Sequence, residues 1–305
     1  MPSASSSSVT TPREPSTDLP NLIAAGRDER LRPVGAAGER VYRHRWPVRL
    51  AHWFNVPILL ILIMSGLQIF NAHPALYWGD RSDRDHPLVA IRPARAEDGE
   101  LRGVTTIVGH RFDTTGVLGY SDGRIRAFPA WATIPNATWL AMGRQWHLFF
   151  AWLFVLNGVG FALYAYGSRH LSRDLVPTTA DLRALPQSLK DHVLLRHPTG
   201  EASRRYNVLQ KLAYLGVLFG LAPLIVLTGL TMSPTLDTAF PWLLPLFGGR
   251  QSARTIHFMA CFAFVGFLVI HLSQVMLTGV LNNIRSMITG WYVVHHETGG
   301  TGHDA

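Results

Sequence analysis

Residues 254–281 read RTIHFMACFAFVGFLVIHLSQVMLTGVL, and after Arg254 the next charged side chain is Arg285. A run of this length and polarity crosses a bilayer as one helix. Two histidines interrupt it, His257 and His271. At roughly 100° per residue, fourteen steps bring them back to one face within about 40°, roughly 21 Å apart along the axis. One helix therefore presents two imidazoles on one side, one per leaflet. Ionisable groups inside a membrane span mark a functional site by default. Two at this spacing predict two stacked metal centres, with the opposite ligands supplied by other spans.

Composition agrees with a membrane protein: 48% of the 305 residues are hydrophobic and only 16% are charged. The net charge of +8 is carried almost wholly by arginine. With apolar spans present, it reads as positive-inside loops and interfacial anchors rather than a nucleic-acid surface. The single cysteine, Cys261, excludes an intramolecular disulfide, a four-cysteine cluster and a thioether haem attachment.

Three further spans are predicted, from about Pro47 to Phe70, Trp146 to Tyr166 and Leu212 to Met232, the last kinked at Pro223. The fourth is expected from Thr255 to Leu281. The apolar stretch 240–247 is short and broken by Pro241 and Pro245, so it fits a re-entrant turn better than a crossing. Arginines cluster before span one (Arg40, Arg43, Arg45, Arg49) and between spans two and three (Arg169, Arg173, Arg183, Arg196, Arg204, Arg205). Both termini are accordingly expected in the cytoplasm. Residues 1–40 read as a disordered cytoplasmic tail and 293–305 as a second one, flanking a membrane domain over 41–292. Within it, 71–138 forms an extracytoplasmic insertion and 167–205 a cytoplasmic connection. Val104–His110 is strand-like and Asp122-Gly123 is a hairpin signal, which predicts a small folded lobe. Residues 179–195 have the pattern of a helix lying on the membrane surface.

Of fourteen histidines, only His52, His147, His257 and His271 fall in spans. Depth decides their pairing. His52 opens a span running outward, His147 and His257 open spans running inward, and His271 closes one. The outer pair is then His147 with His257, and the inner pair His52 with His271. Two neutral imidazoles facing each other in an apolar bundle suit haem iron with no position left open to oxygen. Arg49, Arg144 and Arg254 each precede a histidine by three residues, on the same face and one turn nearer the surface, where each is placed to neutralise a haem propionate. Gly66 and Gly160 lie thirteen or fourteen residues beyond His52 and His147, beside the other centre, where a flat macrocycle needs a helix without a side chain. Zinc and a proton relay are the rival chemistries, but none of the four spans contains Asp or Glu. The expected fold is thus an all-α integral membrane bundle of four transmembrane helices holding two stacked b haems, with a small extracytoplasmic loop lobe.

RLAHWFN (49–55), the following MSG (64–66), RQWH (144–147), YNVLQK (206–211) and the histidine pair of span four resemble the bacterial di-haem cytochrome b subunits of hydrogenase, formate dehydrogenase and thiosulfate reductase. The resemblance covers roughly residues 40–70 and 139–292. It implies two b haems, ligated once each by the first and second helices and twice by the fourth. It also implies electron exchange between quinone and a redox enzyme outside the membrane, in the bacterial inner membrane. Asn207 and Gln210 match the segment that binds quinone beside the inner haem in that family, with Leu209 where some members carry glycine. The long 71–138 loop is similar to the subgroup whose periplasmic partner is a molybdopterin enzyme. The alternatives are a stand-alone membrane haem oxidoreductase and a haem-containing anchor or sensor that conducts no catalytic electrons.

Overall fold

A computed structural model describes residues 31–34, 38–194 and 207–295 of the chain. Four helices in it are long and apolar enough to cross a membrane: Trp46–Phe70, Leu140–Gly167, Val208–Leu230 and Arg250–Leu277. Many of their large apolar side chains, such as Leu156, Leu163, Ile270 and Met276, are exposed on the outside of the bundle. In water that would be untenable, whereas in lipid it places apolar groups against acyl chains.

Span three answers the expected proline kink in its own way. It is α-helical over Val208–Leu215, widens to a π-helical segment over Gly216–Leu221, and resumes as α-helix over Ala222–Leu230. Pro223 has no N–H to donate to the turn before it, and a local change of hydrogen-bond spacing absorbs the loss. Span four starts and stops earlier than its hydropathy suggests. Gly279, at φ +98°, breaks the run after Leu277, and Val280–Thr289 follows as a separate amphipathic helix. The 240–247 stretch makes a four-residue helix, Leu243–Leu246, and no crossing. Two short helices, Thr179–Arg183 and Leu185–Val193, occupy the connection between spans two and three, the second strongly amphipathic.

The chain is mostly helical but not all-α. At one end of the bundle, residues 71–138 fold into a β lobe. Its sheet runs β3 (Ala75–Leu76), β4 (Val89–Arg95), β5 (Leu101–Ile107) and β6 (His110–Asp113), antiparallel in that order. A hairpin of β7 (Gly119–Ser121) and β8 (Arg124–Arg126) turns at Asp122-Gly123, both residues at positive φ. Phe70 at the end of span one packs with Leu76, Ile91, Ala127 and Phe128, and Phe258 of span four packs against the same cluster. Polar stitching completes the seat. Arg126, buried in the lobe, donates to the carbonyls of Phe128 and Asn136, to Thr133 Oγ1 and to Gln68 Oε1 of span one. Gln251 and Ser252, at the start of span four, donate their backbone N–H groups to the Gly79 carbonyl. That supplies partners to donors a helix N-terminus otherwise leaves open.

At the opposite end, β1 (Leu31–Val34), β2 (Gly38–Tyr42) and β9 (Trp291–His295) form a three-stranded antiparallel sheet, pairing Tyr42 with Trp291 and Gly38 with His295. Boundaries drawn at residues 40 and 293 therefore fall inside strands. The β-branched and aromatic run Trp291, Tyr292, Val293, Val294 finds Val41 and Tyr42 opposite, and the two segments order each other. Residues 1–30 of the expected tail lie outside the described residues, as does Tyr206 of YNVLQK. The pairing puts the chain before span one and the chain after span four at the same end of the bundle.

Candidate haem sites

The four span histidines meet in two pairs. At the lobe end, the rings of His147 and His257 face each other with centroids 6.2 Å apart and planes inclined by 65°. At the terminal-sheet end, His52 and His271 stand 6.2 Å apart at 57°. A metal–imidazole bond of about 2 Å added to a ring radius of about 1.2 Å, taken twice, gives about 6.4 Å between two axial rings on one ion. Direct hydrogen bonding between two imidazoles would need no such opening. The donor set and spacing fit a haem iron at each pair, with neutral nitrogen ligands above and below.

Protonation at the lobe-end pair follows from its neighbours. Ser65, fully buried in span one, lies 3.0 Å from His147 Nδ1. The Ser65 hydroxyl already donates to the Ile61 carbonyl one turn back, at 2.6 Å. Its oxygen is left to accept, so His147 Nδ1 carries the proton. Span three does the same for His257. Thr228 Oγ1 donates to Leu224 O at 2.7 Å and stands 3.1 Å from His257 Nδ1, with Ile225 O a further acceptor at 3.0 Å. Both rings then keep Nε2 unprotonated, as ligation requires. The glycine after each hydroxyl makes room for the ring. A Cβ on Gly66 would lie 3.3 Å from His147 Cε1, and one on Gly229 would lie 3.4 Å from His257 Cε1.

The terminal-sheet pair is held otherwise. His52 Nδ1 is buried without a hydrogen-bond partner, and its ring meets Trp53 edge-on at 5.3 Å. His271 stacks on Phe267 at 5.9 Å. Between the two pairs, seven residues beyond His147 and His257, Phe154 and Phe264 touch edge to face.

The other residues singled out in the sequence are more varied. Arg254 donates to the carbonyls of His73 and Ala75, clamping the lobe to span four. Arg49 donates to Ile288 O of the amphipathic helix, while Arg144 lies exposed beside Ala141, Gln145 and Leu148. Gly66 is at the expected depth, although it meets an imidazole edge; Gly160 faces open space. Asn207 caps span three through a reciprocal box, its Oδ1 accepting from Leu209 N while Gln210 Oε1 accepts from Asn207 N. Beside them, Lys211 pairs with Asp181 at 2.8 Å and ties span three to the 179–183 helix. Sequence reasoning missed Ser65, Thr228 and Gly229. Their signal is a hydroxyl residue immediately before a glycine inside an otherwise apolar span, present once in span one and once in span three.

Facing imidazole pairs in a lipid-facing bundle define a membrane cytochrome of the b type. The chain belongs to the prokaryotic cytochrome b561 family, whose profile matches residues 43–290. It is 34% identical over 245 residues to a putative protein-methionine-sulfoxide reductase subunit YedZ1 of Azospira oryzae, covering 80% of this chain and 93% of the relative. It is 21% identical over 281 residues to a probable Ni/Fe-hydrogenase B-type cytochrome subunit of Cupriavidus necator, covering 88% and 93%. No solved structure matches. Family membership makes this a bacterial membrane electron-transfer protein that uses b-type haem.

Proposed function

We propose that this chain holds two b haems, one between His147 and His257 and one between His52 and His271, and links the quinone pool to an extracytoplasmic oxidoreductase. The observation that carries this reading is the equal 6.2 Å opening of two imidazole pairs at opposite ends of one bundle. Haem between two imidazoles supplies one-electron exchange without an open coordination position. The protein's own part is to fix each pair, to exclude water with its apolar spans, and to offer a surface at each end.

The lobe faces the periplasm and both termini face the cytoplasm of the inner membrane. The distribution of arginines and the β2–β9 pairing, which requires an even number of crossings, support that orientation. The partner docks at the lobe end, nearest His147 and His257. The relatives named as reductase and hydrogenase subunits support an oxidoreductase there, and the long lobe favours one of the molybdopterin type. A reductase partner would draw electrons outward from quinol. Quinone binds at the other end near Asn207 and Gln210, whose side-chain oxygens serve the helix cap but whose amide NH2 groups remain donors for a quinone carbonyl. Arg49, Arg144 and Arg254 keep N–H groups for propionates beyond those they give to the backbone.

The test is purification from membranes with bound proteins identified, a haem-to-protein ratio, and a reduced-minus-oxidised spectrum. Two low-spin haems, reduction by a quinol analogue and reoxidation by a co-purified soluble subunit are expected. One haem per chain, or a five-coordinate high-spin signal, sinks the paired-site reading.

A further inference from the structure

We propose that Ser65 and Thr228 set the reduction potential of the outer centre, His147–His257, and leave the inner centre untouched. This rests on the two-haem reading above. Both hydroxyls are completely buried, and both protons are committed to carbonyls of their own helices, Ile61 O and Leu224 O. Each oxygen can therefore only accept from the imidazole beside it. A ring whose Nδ1–H is donated into such a bond gains electron density at Nε2 and becomes a stronger ligand, which favours the more highly charged state of the bound metal. Two such bonds converge on one pair, each beside a backbone carbonyl, Leu62 O at His147 and Ile225 O at His257, that shares the Nδ1–H and stays when the hydroxyl is removed. At the other pair, His52 Nδ1 has no acceptor and His271 makes no hydrogen bond among the described residues. The chain thus builds two chemically unequal centres from four identical side chains.

Ser65 and Thr228 are positioning residues that act through the imidazoles. Span three contributes no histidine, and through Thr228 it tunes a centre that it does not ligate. The hydroxyl–glycine pairs make the device specific. Ser65-Gly66 and Thr228-Gly229 put the acceptor and the clearance for the ring on adjacent residues, and each serves one imidazole of the same pair.

The experiment is a potentiometric titration of the purified complex, followed optically and by EPR. The outer signal is assigned as the one absent in His147→Ala. In Ser65→Ala and in Thr228→Val the outer haem should titrate at higher potential. At a fixed ambient potential its reduced-to-oxidised ratio should rise roughly two- to tenfold for each bond lost. The inner haem should be unmoved, and Ser65→Thr and Thr228→Ser should restore wild-type behaviour. If Ser65→Ala empties the site, Ser65→Cys, which offers only a weak sulfur acceptor, should still raise the outer potential. Unchanged outer potentials in haem-replete variants overturn the proposal, as does an equal shift at both centres or a shift that the hydroxyl-retaining variants share. Failure of the two-haem reading is separately visible, as a wild-type complex without two haems.

Discussion

Gly66→Val probes the outer pair without touching a ligand. The site is tight on one side only. A Cβ at position 66 would already approach His147 Cε1 to 3.3 Å, closer than most such contacts, and the γ-methyls of valine reach further into the ring. The imidazole cannot slide away freely, because Ser65 holds its Nδ1. Overfilling such a site costs about 1–3 kcal/mol. At about 1.4 kcal/mol per tenfold, the seated ring becomes roughly five- to 150-fold rarer relative to displaced arrangements. Valine is a slightly better helix former than glycine, so propensity does not account for a loss. Gly160→Val is the control, since nothing lies within 4 Å of a Cβ there. The measurement is haem per protein and the difference spectrum after detergent purification at equal membrane expression. Gly66→Val should lose the outer centre and keep the inner one, while Gly160→Val should keep both. If Gly66→Val binds haem like wild type, the imidazole does not sit where the geometry places it. If Gly160→Val loses a haem instead, that glycine faces a macrocycle and the open-space reading is wrong.

His52→Ala should remove the inner haem alone and His147→Ala the outer haem alone, read from residual spectra; equal loss of both in each inserted variant would sink the idea of independent pairs. Asn207→Ser keeps an N-cap acceptor but removes the amide, so it should leave haem content and dithionite reduction intact while slowing reduction by a quinol analogue two- to tenfold, about one hydrogen bond's worth. A wild-type quinol rate in that variant leaves Asn207 as a cap only. Burial, with Arg43 and neighbouring histidines adding to it, lowers the His44 pKa to about 4. A depressed histidine stabilises the fold above its unfolded pKa of about 6.5, and that contribution fades as pH falls toward 4. Protection factors of residues 38–44 and 290–295, taken relative to the intrinsic exchange rate at each pH, should therefore fall over that window in wild type and stay flat in His44→Gln.

The spans were legible because lipid demands long apolar helices, and the pairings because imidazoles at different depths cannot meet. Both arguments need only spacing along a chain. The lobe's hairpin at Asp122-Gly123 was legible for the same local reason. What escaped depended on contacts between distant segments. The strand at Trp291–His295 has nothing to pair with until Gly38–Tyr42 lies beside it, so each alone looked like a tail. Ser65 entered only as part of MSG (64–66) and Thr228 not at all, since the hydroxyl–glycine pair that marks both does not by itself say that an imidazole lies across the bundle. Asn207 and Gln210 drew attention through the quinone segment, and the backbone geometry shows them as a reciprocal cap on span three.

The sheet formed by β2 and β9 also has a consequence in time. Its strands leave the ribosome on either side of all four spans, so β2 cannot pair with β9 until span four has been made and the chain has turned back past Gly290. The same delay governs the inner pair, because His52 is made early and its partner His271 lies near the end of the last span. The outer pair also waits for span four, but His257 is translated first. Closure of the β2–β9 pairing thus follows insertion of all four spans, and it clasps the two flanks of the membrane domain only in a chain threaded through all of them.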